Sequence, residues 1–101
     1  MEIQNISTAP KVPIDLDAHI LYSEKPIELV HLQLKPGEIL ADHKNPVDVI
    51  FFVVEGSGRL TLNGESKILN TTDTIRVSSE INRGWGNSTS EILKILVIKL
   101  L

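Results

Sequence analysis

Apolar residues in this chain fall in short runs, broken about every eight to ten residues by turn-forming groups. The breaks are Pro36-Gly37, Asn45-Pro46, Gly56-Ser57-Gly58 and Asn63-Gly64, a rhythm that suits an all-β sandwich or barrel. The pieces between them read as strands over residues 20–23, 28–34, 38–42, 48–55, 59–62, 65–69, 73–77, 82–86 and 92–99. Residues 49–54 are all apolar, so that strand has no face suited to water and is expected to be covered on both sides. Val49, Phe51 and Val53 would form one face and Ile50, Phe52 and Val54 the other, because side chains alternate along a strand. Asn63-Gly64 is the clearest hairpin signal, since both residues tolerate positive φ. Residues 91–101 are ambiguous: Ile92, Ile95 and Leu96 keep helical spacing, while the β-branched content favours a buried strand.

Composition agrees with sheet. The chain has 13 Ile, 13 Leu and 8 Val against 3 Ala, a mixture that fits a pleated surface better than a helix face. Its 101 residues suffice for one core. Residues 1–13 hold two prolines and neither period, and are expected to form an arm on the surface or on a neighbour; residues 14–101 form the domain. The absence of cysteine leaves His19, His31 and His43 as the only nitrogen ligands for a metal. A net charge of -3 and only four aromatic residues argue against a nucleic-acid partner. The longest apolar run is far too short to span a membrane, and no basic segment precedes an apolar one at the start, so a cytosolic protein is expected.

From Gly37 the chain runs Gly37-x5-His43-x-Asn45-x3-Val49-x6-Gly56, and then Thr72-x5-Ser78-x-Glu80-x2-Arg83-x3-Asn87. This resembles the two motifs of the cupin superfamily, G-x5-H-x-H-x3,4-E-x6-G and G-x5-P-x-G-x2-H-x3-N. Gly37, His43, Gly56 and Asn87 match in identity, and the spacing matches throughout. The resemblance implies a single jelly-roll β-barrel of two antiparallel sheets around a central pocket, commonly dimeric. It also implies that the metal ligands of the family fall on His43, Asn45, Val49 and Arg83. Only the first is a good ligand, and Arg83 would repel a cation, so no conventional metal centre is expected. The alternative is an atypical site of His43, Asn45 and Asp48 for Fe, Mn, Ni or Zn, reached if a bulge after Pro46 turns Asp48 inward.

On this fold, His43, Asn45 and Arg83 would be the polar groups of the pocket, with Val49, Phe51, Val53 and Trp85 as apolar walls. Arg83 suits a carboxylate or phosphate, His43 can exchange a proton near neutral pH, and Trp85 can stack on a ring. Each has a plainer reading: Arg83 as a rim partner of Glu80 or Asp73, His43 as a structural histidine, Trp85 as core. Three functions stay open: a module binding a small polar or anionic molecule, a metal-dependent dioxygenase or isomerase, and a structural dimer with no ligand. Proton transfer by His43 beside Arg83, with Asp42 or Asp48 as orienting carboxylate, would be a metal-free catalytic variant of the first. A homodimer is expected in each case, because a barrel this short does not cover both faces of the strand at residues 48–55 together with the apolar C-terminal segment.

Overall fold

The computed structural model describes residues 1–101. Its strands are β1 (Asp17–Glu24), β2 (Ile27–Leu34), β3 (Ile39–His43), β4 (Asp48–Glu55), β5 (Gly58–Leu62), β6 (Glu65–Leu69), β7 (Thr74–Val77), β8 (Arg83–Gly86) and β9 (Leu93–Leu100). They form a five-stranded sheet in the order β1-β2-β9-β4-β7 and a four-stranded sheet in the order β3-β8-β5-β6. All pairings are antiparallel. From β2 onward the chain changes sheet at every connection except the β5–β6 hairpin, which makes the fold a jelly roll. That hairpin turns on Asn63 and Gly64 with φ of 47° and 86°, the positive values that a tight two-residue turn requires.

The ambiguous C-terminal segment is the strand β9, hydrogen-bonded between β2 and β4 in the centre of the larger sheet. A helix there would leave two ladders unpaired, and its β-branched side chains suit the pleat. Strand parity then sets the core: Leu93, Ile95 and Val97 of β9, Val30, Leu32 and Leu34 of β2, and Val49, Phe51 and Val53 of β4 point inward and are buried. The far end of the barrel is tied by Asn87. Its Nδ2 donates to the carbonyls of Leu34 at 3.0 Å and Glu91 at 2.7 Å, and its Oδ1 accepts from the Thr89 amide and hydroxyl.

The outer face of the larger sheet is not polar. Ile50 and Phe52 of β4 lie beside Leu96 and Ile98 of β9 and Leu29 of β2, all half-buried. His31 is on this face directly opposite His19, and burial, reinforced by Lys94, pulls its pKa below the usual histidine value. His19 is half-buried too, its Nδ1 3.0 Å from the Asp17 carboxylate but outside hydrogen-bond alignment.

The N-terminal arm is fastened to β1. The Val12 amide donates to Ala18 O at 2.8 Å and the Ile20 amide to Pro10 O at 2.9 Å, so residues 10–12 extend the sheet edge. The Lys11 ammonium then donates to three carbonyls of its own loop, those of Val12, Ile14 and Leu16, at 3.2, 2.8 and 3.1 Å. This closes the arm into a strap over the barrel mouth.

Candidate functional site

His43 ends β3, and a short loop leads directly to Asp48 at the start of β4 in the other sheet, so these two strand ends form one rim. Here the barrel opens into a cavity of about 370 Å³. Residues Asp42, His43 and Asn45 from the β3 end, Arg83 opposite His43 on β8, and Lys99 opposite Val49 on β9 line its upper rung. Below lie Phe51, Val97, Val30, Leu32 and Ala18, with Leu40 and Ala41 from β3; Val12 and Ile14 come from the strap.

Arg83 is the most unusual group. It is 1% exposed, and no carboxylate lies within 4.0 Å of its guanidinium. Nε donates to Ile81 O at 2.7 Å and Nη2 to Ser78 O at 2.9 Å. Nη1 has no acceptor in the protein and is not fully buried, and Arg83 lines the cavity. Burial lowers the pKa of Arg83, offset in part by the charges of Asp48 and Glu80, yet a guanidinium remains protonated. A rim pair with Glu80 or Asp73 is not made. The other cation, Lys99, is answered: its ammonium sits 3.3 Å from Glu28, whose carboxylate also accepts from the Ser23 hydroxyl at 2.7 Å. The Ser23 bond first, and Lys99 next, hold the Glu28 pKa below the usual value.

His43 is exposed, and its Nδ1 lies 3.0 Å from the Ala41 carbonyl. A carbonyl only accepts, so Nδ1 carries the proton and Nε2 is left free. The bulge between Leu40 and His43 sets two residues, Ala41 and Asp42, opposite Gly84. The Asp42 carboxylate covers that glycine where a β-carbon would be, which puts it on the face of β8 opposite to Arg83 and Trp85.

Five of the expected residues come together: His43, Asn45, Val49, Phe51 and Arg83 all line the cavity. Trp85 does not. Its register opposite Leu40 and Leu60 places it one rung deeper, 2% exposed and edge-on to Phe51 with ring centroids 5.4 Å apart. Val53 is likewise fully buried below the cavity. Asp48 lies on the outer face of its sheet, beside Ile50 and opposite Leu100. Lys99 and the strap residues Val12 and Ile14 escaped the sequence reading. Lys99 had a signal: it is in phase with Leu93, Ile95 and Val97, and a charge on the buried phase of a strand needs a reason to be there.

The donor set does not fit a metal ion. Val49 has no donor atom, and Arg83 places an unneutralised positive charge where a ligand would stand. The bulge falls before Asn45, not after Pro46, so Asp48 stays outside: Oδ2 accepts from Arg76 at 2.8 Å and Oδ1 from the Ser79 amide at 2.7 Å. The Arg76 bond is the larger cause of the lowered Asp48 pKa. The Asn45 amide oxygen accepts from the Val47 amide at 3.3 Å. All three side-chain oxygens of the atypical His43, Asn45 and Asp48 site are therefore engaged elsewhere.

Nine strands in two antiparallel sheets, open at one end over an apolar cavity with a polar rim, define a jelly-roll barrel. Residues 30–99 match the family model described as "Cupin domain", and the chain belongs to the cupin family. Solved structures agree on the fold. A Cupin 2 conserved barrel domain protein from Salinispora arenicola superposes with a TM-score of 0.84 at 18% identity, over 100% of this chain and 89% of that one. An uncharacterised protein with a double-stranded beta-helix domain from Klebsiella pneumoniae gives 0.83 at 16% identity, over 99% and 90%. TT1209 from Thermus thermophilus gives 0.81 at 18%, over 99% and 97%. No curated protein matches the chain.

Proposed function

We propose that this cupin binds a small molecule through an anionic group docked on Arg83, without a conventional metal centre. The observation that carries this reading is a buried guanidinium with no carboxylate partner and one nitrogen, Nη1, left without an acceptor beside a cavity. Sealing an unpaired charge in a barrel is costly, and a bound anion removes that cost. The Asn45 amide nitrogen is the group available to complete the contact, since the Nε2 of His43 is an acceptor while Nδ1 carries the proton.

Thermal melts test it. At ligand concentrations near 100 times Kd, stabilisation is about 2.7 kcal/mol, so small anions are expected to raise Tm by roughly 10 °C or more while neutral sugars do not. No shift with any anion at millimolar concentration overturns the reading. So does stoichiometric Fe, Mn, Ni or Zn in protein purified without chelator and lost in His43→Ala.

The reading includes a homodimer formed through the outer face of the larger sheet, where Ile50, Phe52, Leu96 and Ile98 are incompletely covered. Sedimentation at micromolar concentration is expected to give a dimer, and Phe52→Asp a monomer, because a carboxylate cannot be buried there without a partner. A wild-type monomer contradicts this part of the proposal.

A further inference from the structure

The cavity holds more information than the sign of its ligand. We infer that the ligand is an amphipathic monocarboxylate, a small acid whose carboxylate meets Arg83 and whose apolar body descends into the barrel. This rests on the anion reading above and adds the ligand's charge and shape.

Charge comes first. Arg83 is the only cation of the cavity without a carboxylate within 4.0 Å, because Lys99 is already paired with Glu28. One uncompensated positive charge in a low-dielectric site matches one negative charge. A second one would find no free cation in the cavity, because Lys99 is already paired with Glu28. Phosphate in its doubly charged form and dicarboxylates are therefore disfavoured.

Shape follows from what lies below Arg83. Phe51, Val97, Val30, Leu32 and Ala18 present no side-chain hydrogen-bonding group to a ligand. A hydroxylated body such as a sugar acid would bury its hydroxyls unpaired, at about 1–3 kcal/mol each by mutational scales. An alkyl chain or phenyl ring loses nothing there and gains its transfer free energy. Space is sufficient: an apolar cavity of about 150 Å³ takes up benzene, and this one measures about 370 Å³. The strap residues Val12 and Ile14 complete the apolar lining.

The test is calorimetric titration of the full chain with hexanoate, acetate, 1-hexanol, glutarate and inorganic phosphate, repeated on Arg83→Met. Hexanoate is expected to bind at least about tenfold more tightly than each of the others, since each buried methylene adds to affinity. In Arg83→Met the preference of hexanoate over hexanol is expected to vanish. If acetate or phosphate binds as well as hexanoate and is lost in Arg83→Met, the anion site stands and the amphipathic ligand is wrong. If hexanol equals hexanoate on the wild type, or no probe binds at millimolar concentration, both readings fall. The wild-type ranking decides these outcomes even if the variant does not fold.

Discussion

Arg83→Met is expected to leave the ligand-free barrel at least as stable as the wild type while abolishing its affinity for small acids. The wild type holds a guanidinium at 1% exposure with no carboxylate near it, and the effective penalty for desolvating one ion is several kcal/mol. Two hydrogen bonds, to Ile81 O and Ser78 O, offset part of this. Those carbonyls belong to the β7–β8 connection, where Ser78 is exposed and Ile81 half-buried, so water can replace the donor once it is gone. Methionine fills a similar length with apolar surface, worth about 1.5–3 kcal/mol when buried. Urea melts followed by the fluorescence of Trp85, the sole tryptophan, measure the difference. A loss above about 2 kcal/mol, well beyond the ordinary scatter of surface substitutions, would make Arg83 a structural tie and remove the main argument for an anion site. A site that costs stability until its ligand arrives is the usual trade between fold and function.

Gly56→Ala is expected to be the most damaging single-methyl addition among the turn glycines. Gly56 has φ of 87°, and a β-carbon there would lie 2.5 Å from Ile92 O and 3.3 Å from Leu93 Cα. Both are backbone atoms at the entry to β9, the central strand of the larger sheet, so relief requires moving the sheet itself. Backbone strain of about 1–2 kcal/mol and the clash together predict a loss of about 3–4 kcal/mol. For a domain of this size that lowers Tm by roughly 12 °C or more. Gly64→Ala is the control: φ is 86°, but nothing lies within 4 Å of the added carbon, so only the strain, about 1 kcal/mol, is expected. Equal losses at the two positions would show that φ alone matters and that the approach of β9 to the β4–β5 turn is unimportant.

The strand rhythm was legible because it is local. Turn residues and parity along 49–54 sufficed to place β4 and its buried face, and Asn63-Gly64 set the β5–β6 hairpin. Spacing to the cupin motifs brought His43, Asn45, Val49, Phe51 and Arg83 to one cavity, which no local pattern would do. What it did not supply was depth. Trp85 shares a face with Arg83, and only its pairing with Leu40 and Leu60 puts it below the cavity floor instead of on its wall. The Glu28–Lys99 pair was hidden for a similar reason: each residue sits in phase with a buried face on its own strand, and their meeting depends on the β2–β9 register. The state of Arg83 was least legible, since a lone arginine beside acidic residues in sequence reads as a rim pair, and the missing partner is a property of three-dimensional distance.

The strap has a consequence for how such a barrel can change. Val12 and Ile14 wall the cavity, yet neither belongs to a strand of either sheet, and their position is held by a few edge hydrogen bonds and the Lys11 ammonium. Selectivity and foldability are therefore written in different stretches of the gene. Shortening or enlarging side chains at 12 and 14 would retune which molecules are accepted while leaving the sheet ladders untouched, so variation in this short segment is a route by which descendants of one scaffold diverge in ligand without passing through an unfolded ancestor.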